Sequence, residues 1–264
     1  MLKQRILTAT VAGLALLLVL FVLPPNAALG VIVALMLAAA WEWSGLLGVA
    51  GLAARFGYVT VIALLLAFVT WRMSDAASVA LILKIGLAWW FAALVWVFFY
   101  PTPIAAPVRW LCGALVMVPA YMALVSLYSF APAILLFALG VVWAADVGAF
   151  FAGRRFGRVK LAPRISPGKT WEGVIGGLAA VVLLLVAARL AGLEMDVAVV
   201  IPFCLAVATL SIVGDLTVSM FKRNAGVKDS GTLFPGHGGV LDRIDSVAAA
   251  APLFALGLGW IGLV

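Results

Sequence analysis

Apolar runs long enough to cross a lipid bilayer recur from one end of this 264-residue chain to the other. A helix needs about 20 apolar residues to span the hydrocarbon core. Nine such segments are expected, at residues 6–23, 27–49, 57–72, 77–99, 108–128, 130–152, 173–193, 196–221 and 244–263. Backbone groups in lipid have no water to bond and must pair within their own segment, so each is read as a helix. The expected fold is an all-α polytopic integral membrane protein with about nine transmembrane helices. Composition excludes a soluble globule: 67% of the residues are hydrophobic and 10% charged, with a mean hydropathy of +1.26, whereas soluble domains are about 45–50% apolar. Cys112 and Cys204 lie in separate apolar runs and read as small buried residues rather than a disulfide or a thiolate metal site. The first run, preceded by Lys3 and Arg5, is too long for a typical leader and no small-residue cleavage site follows it. It reads as a retained span.

Basic residues assign the sides. With the N-terminus in the cytoplasm, fourteen of the seventeen Lys and Arg residues fall on one face, Arg72 and Arg189 on the other, and Lys84 within the fourth segment. Nine spans then leave the C-terminus on the outer side. The net charge of +7 reports this asymmetry and an affinity for anionic lipid, and implies no nucleic-acid partner. Tryptophans such as Trp41, Trp43, Trp71 and Trp110 stand toward segment ends, as an interfacial belt does.

Polar chemistry is confined to the later part of the chain. Residues 1–129 read as an N-terminal scaffold of transmembrane helices facing lipid or a dimer partner. Residues 130–264 read as a catalytic transmembrane domain with cytoplasmic loops at 153–172 and 222–243. The stretch KDSGTLFPGHGGVLDRID, 228–245, gathers three of the ten acids, the sole histidine and four glycines. Asp215 lies inside an apolar segment, where a carboxylate is costly and functional by default. Helical spacing puts Ser211, Asp215 and Ser219 on one face, with Lys222 and Arg223 a turn later. Asp242 and Asp245 share a face at the start of the ninth segment. A helix dipole alone accommodates that pair, but a third acid on the neighbouring helix points to a shared hard cation held by Asp215, Asp242 and Asp245. Mg²⁺ takes one or two carboxylates and completes its shell with water and phosphate.

Other residues read as the phosphate side. Glycines including Gly231, Gly236, Gly238 and Gly239 let backbone N–H groups approach an anion. ISPGKTWEG lacks the first glycine of a Walker A loop, where Pro163 stands, and a P-loop is rejected. What remains is an expected helix start, with Ser166 as N-cap, Pro167 in the first turn, and Lys169 and Thr170 beside free N–H groups. Glu172 either complements the dipole or orients a ligand. His237 suits a phosphate contact or a structural hydrogen bond better than metal ligation. Glu42, in WEWSGLL, is expected about two turns from the cytoplasmic end of its helix, as a member of the site or as an inter-helix hydrogen-bonding group.

At these positions the chain resembles the phosphatidate cytidylyltransferases, or CDP-diacylglycerol synthases. The resemblance rests on Ser219, Phe221, Lys222, Arg223, Lys228, Asp229, Gly231, Phe234, Pro235, His237, Gly238, Gly239, Val240, Asp242, Arg243, Ile244 and Asp245. A second block comprises Asp146, Gly148, Ala149, Gly153, Arg154, Gly157, Leu161 and 166–173. It implies that CTP and phosphatidate give CDP-diacylglycerol and pyrophosphate, with Mg²⁺ and a second ion, potassium, nearby, in a homodimer of the bacterial inner membrane. It implies metal binding by Asp215, Asp242 and Asp245, and polyphosphate contacts by Lys222, Arg223, Lys228 and Arg243. Ser219, Asp229, His237, Gly238, Gly239, Asp146, Ser166, Lys169, Thr170 and Glu172 complete the expected substrate site. Val218 stands where members of the family often carry Glu, and Phe150 where Tyr is common.

Because a phosphate monoester has a second pKa of about 6, the lipid phosphate arrives as a dianion and needs no strong base. The task is charge neutralisation and in-line positioning. A transporter also places acids in helices, but predicts polar residues on both sides, whereas here they crowd one. A CTP-dependent polyprenol kinase is closer in chemistry and differs in transferring the γ-phosphate.

Overall fold

The computed structural model describes residues 2–49, 51–231 and 238–260. Among them nine α-helices follow one another: α1 (Leu2–Phe21), α2 (Pro25–Ser44), α3 (Leu52–Trp71), α4 (Ala76–Phe98), α5 (Ala106–Phe130), α6 (Pro132–Phe156), α7 (Trp171–Leu190), α8 (Val197–Asn224) and α9 (Leu241–Gly257). Each overlaps one expected segment. Seven of them, α2 to α8, are long and apolar enough to cross a membrane. In α1 the apolar part is Thr10–Phe21, and α9 has 17 residues. Helix starts follow local chemistry. Proline occupies the first turn of α2, α5 and α6, where its missing N–H has no helical partner anyway. Asp75 and Asp196 cap α4 and α8 by accepting from the N–H groups of Ala77 and Ala198.

Apolar residues face both inward and outward. Trp43, Tyr58, Trp90, Phe221 and Phe254 are buried, while Leu64, Phe68, Phe91, Val95 and Leu183 are exposed on the outside of the bundle. Helices apolar on every face belong in lipid. Of the seven membrane-length helices the most enclosed is α5, which packs against α4, α9, α2 and α3.

Two seams of small residues position the polar end. Between α6 and α7, a side chain added at Gly148, Gly176 or Gly177 would strike the facing helix, including its backbone. Between α8 and α9, one added at Gly214 would collide with the carbonyl of Asp245. Such residues let helix backbones approach closely where lipid supplies no hydrophobic drive to pack.

Within this all-α arrangement the expected helix start at Ser166 needs correction. Residues 160–170 form a two-stranded antiparallel hairpin, β1 (Lys160–Ala162) and β2 (Ser166–Thr170), with Lys160 opposite Thr170 and Ala162 opposite Ser166. Ser166 therefore does not start a helix. The residue before a proline is driven to extended geometry, and a proline without an N–H is tolerated in an edge strand. Helix α7 begins five residues later, capped by Thr170, whose Oγ1 accepts from the N–H of Gly173 at 3.1 Å. The expected loops are also shorter than drawn: Arg154 and Arg155 are in the last turn of α6, Lys222 and Arg223 in that of α8, and α9 starts at Leu241.

Candidate active site

The last turns of α6 and α8, the hairpin and the first turns of α9 meet at one end of the bundle. Strand β2 delivers Lys169, whose Nζ lies 2.7 Å from Asp215 Oδ2 on α8. One turn along α8, the Ser219 hydroxyl donates to the other oxygen of Asp215 at 3.1 Å. A turn further, Lys222 Nζ reaches Asp242 Oδ1 on α9 at 2.6 Å, with side chains only 9% and 8% exposed. Two lysine–aspartate pairs thus bridge β2 to α8 and α8 to α9. Helical spacing explains the alignment, since 215, 219 and 222 recur on one face. Ser211 shares that spacing but turns its hydroxyl to its own helix, donating to the carbonyl of Ala208. The expected polar stripe therefore ends at Asp215.

Asp242 is fully engaged. Its Oδ2 accepts from the backbone N–H groups of Ser230 and Gly239, each at 3.0 Å, so the N–H of Gly239 serves a protein carboxylate. Gly238 has φ +82, and a side chain there would run into Asp242. A glycine is needed on both counts. Asp245 is buried and, among the described residues, accepts from the N–H of Ser246 alone, at 2.8 Å. It feels the negative charge of Asp215, and so does Asp146 on α6. Lys169 and Lys222 act on both Asp215 and Asp245. The structure thus brings together Asp146, Lys169, Asp215, Ser219, Lys222, Asp242 and Asp245. Arg243 is exposed on the first turn of α9.

Other candidates have local partners. Arg223 Nε donates to the carbonyl of Ile165 at 3.1 Å and its Nη1 to that of Val227 at 3.2 Å, tying the hairpin to the end of α8. Glu172 accepts from the N–H of Val159 through both oxygens, at 3.1 and 3.3 Å. It anchors the entry to β1 and lines an open cleft with Arg155 and Arg158. Ser166 is half-buried in β2, whereas Lys228 and Asp229 are exposed. His237 lies outside the described residues.

Glu42 carries more structure than its sequence context suggests. It is in the last turn of α2, not two turns in, because that helix ends at Ser44. Its carboxylate accepts from Ser230 Oγ at 2.8 Å and from the N–H groups of Val240 at 2.9 Å and Leu241 at 2.8 Å. An acid in an apolar helix with no basic residue in the same last turn was the available signal; Ser230 had none.

An acid surplus at the cluster fits a cation. The donors are all oxygens, and Asp215 and Asp245 repel each other across the α8–α9 seam. Among the described residues no three such groups already converge as a metal cage. Of the two aspartates, the partly open Asp215 offers the kind of oxygen donor that a hard divalent ion takes while keeping water and phosphate oxygens in its shell.

A sequence model of the cytidylyltransferase family matches residues 3–260. The chain belongs to the cytidylyltransferase family. Among similar proteins, a phosphatidate cytidylyltransferase of Pseudomonas aeruginosa is 43% identical over 272 residues, covering 98% of this chain and 99% of that protein. One from Haemophilus influenzae is 39% identical over 284 residues, covering 97% and 98%. One from Brucella suis is 50% identical over 127 residues, 46% of this chain and 45% of its own. The cytidylyltransferase match runs from α1 to α9, so the early helices belong to the family as much as the motif-bearing end does.

Proposed function

We propose that this cytidylyltransferase family member transfers the cytidylyl group of CTP to phosphatidate at the acid and lysine cluster, on the cytoplasmic side of a bacterial inner membrane. The reading is supported by the full-length relatives named phosphatidate cytidylyltransferase. One observation carries the assignment of the site: Lys169 and Lys222 are held on Asp215 and Asp242 from separate elements, at 2.7 and 2.6 Å. Each ammonium is positioned in advance and exchanges a carboxylate for a phosphate oxygen when a polyphosphate enters.

The reaction joins a phosphate oxygen of phosphatidate to the α-phosphorus of CTP. The bond from that phosphorus to the oxygen bridging the β-phosphate breaks, and pyrophosphate leaves with the bonding electrons. Lys169 and Lys222 neutralise nucleotide oxygens, and the Ser219 hydroxyl keeps Asp215 oriented. Arg243 and Lys228, both exposed, hold the departing pyrophosphate. Asp215, Asp242 and Asp245 would hold Mg²⁺, as oxygen donors suited to a hard divalent ion. The ion, when bound, draws electron density from the nucleotide phosphates and supports the in-line displacement. Because the lipid phosphate is the nucleophile and is already a dianion, none of these residues acts as a general base. Asp215 lies nine residues from the end of α8 at Asn224, about 14 Å along the helix, and this end of the bundle is where a lipid phosphate and a soluble nucleotide would meet.

Labelled CTP tests the reading. With the purified protein, phosphatidate and Mg²⁺ in detergent, label from the α-phosphate enters the lipid and label from the γ-phosphate leaves as pyrophosphate. γ-label in the lipid, with none from the α-position, identifies a lipid kinase and defeats the proposal.

A further inference from the structure

The early helices hold one group that the chemistry above does not use, and it reaches the site from the far end of the chain. Glu42 is 7% exposed and, among the described residues, forms no salt bridge. It also stands at the wrong end of its own helix, since a carboxylate at a helix C-terminus faces the negative end of the dipole. Its compensation comes from another helix. Val240 and Leu241, which give it their N–H groups, form the entry to α9, where donors lack helical partners and the dipole is positive. α9 has no side-chain cap of its own; Glu42 supplies one from α2.

The same carboxylate and Asp242 grip the same two chain segments. Ser230 gives its hydroxyl to Glu42 and its N–H to Asp242. On the other side, Gly239 gives its N–H to Asp242 while Val240 and Leu241 give theirs to Glu42. Side chains added at Gly231 or Gly239 would collide with the Glu42 carboxylate. Retreat of that carboxylate would break its three hydrogen bonds, so both glycines are there for the close approach. The end of α2 is itself pinned: Arg55 donates to Trp41 O and Ser44 Oγ, Arg109 donates to Leu46 O, and Trp43 Nε1 donates to Arg109 O.

We propose that Glu42 is a positioning residue for cytidylyl transfer, fixing the approach to α9 so that Asp242 and Asp245 stand opposite Lys222 and Asp215. This rests on the site assignment above. Glu42→Gln replaces one acceptor oxygen by an N–H₂ group, which cannot accept from both N–H groups and the hydroxyl together. Glu42→Asp withdraws the carboxylate by one methylene, and Ser230→Ala removes a single donor.

The experiment compares these variants with Asp242→Asn and Asp75→Asn in detergent, measuring kcat, KM for each substrate, the Mg²⁺ concentration at half-maximal rate, and thermal unfolding. Asp75 caps α4 and pairs with Arg72 away from the site. Its variant reports what lost stability alone does, with kcat unchanged. Misplacement of reacting groups by about 1 Å costs about 100-fold in rate. Glu42→Gln is expected to lower kcat by about that factor and raise the Mg²⁺ requirement, with KM for CTP changed by less than about threefold. Ser230→Ala, losing one hydrogen bond, is expected to lower kcat by up to about tenfold. Should Glu42→Gln not fold, Glu42→Asp and Ser230→Ala carry the test. Folded variants with wild-type kcat and Mg²⁺ dependence, altered only in melting temperature as Asp75→Asn is, overturn the proposal while a slow Asp242→Asn keeps the site. A wild-type rate in Asp242→Asn overturns the site assignment and this inference with it.

Discussion

Asp215 and Asp242 each pair with a lysine, yet their surroundings give them different work. Asp215 has one lysine and one hydroxyl and remains partly open. Asp215→Asn is expected to leave the fold intact and to lower CDP-diacylglycerol formation by at least about 100-fold, the loss typical of removing one electrostatic contact to a transition state. Asp242 is buried with Lys222 and carries two backbone N–H groups besides. Removing one partner of a buried pair strands a charge, at about 3–5 kcal/mol. Lys222→Met should therefore lower stability by that amount in detergent unfolding. The double variant Lys222→Met with Asp242→Asn, which removes the stranded charge and retains an acceptor for Ser230 and Gly239, should recover much of the stability and none of the activity.

Helices were legible in the sequence and their polar ends were not. Hydropathy places all nine helices because lipid imposes one backbone solution on any long apolar run. It stops being informative where helices leave the membrane, so α6 and α8 carry Arg154, Arg155, Lys222 and Arg223 inside their last turns. The hairpin was missed because Ser-Pro-Gly-Lys-Thr offers a plausible cap and first-turn proline. The pairing that decides it, Lys160 with Thr170, is a contact across a turn and not a property of either stretch. Spacing alone placed Asp215, Ser219 and Lys222 on one face of α8, and their contacts with Lys169 and Asp242 follow from it. Glu42 was only half read, since all three of its donors lie 188 or more residues away. The α8–α9 seam supplies a test at this level. Gly214→Val would drive a side chain into the backbone carbonyl of Asp245, and overpacking of this kind costs about 1–3 kcal/mol. Activity should fall with it, because the carbonyl that must move belongs to the residue facing Asp215. A variant with unchanged melting and turnover would show that the seam is looser than drawn.

Across the whole molecule, most of the basic residues fall toward the end that carries the acid cluster, and the proposal that this end is cytoplasmic rests on that Lys/Arg bias. In a background with Cys112 and Cys204 replaced by Ala, Arg158→Cys should react with a membrane-impermeant thiol reagent only in inside-out vesicles. Glu194→Cys, in the exposed turn between α7 and α8, should react only in right-side-out vesicles. The opposite pattern would invert the topology and put the nucleotide site where CTP is absent. The bond between Glu42 and Val240, 198 residues apart, has a bearing on biogenesis. A ribosome making this protein threads α2 into the bilayer long before α9 exists, so the nascent chain carries a solitary acid with none of its eventual donors. In the proposed site α9 supplies Asp242 and Asp245, so the arrangement would be complete only once the last helix has formed.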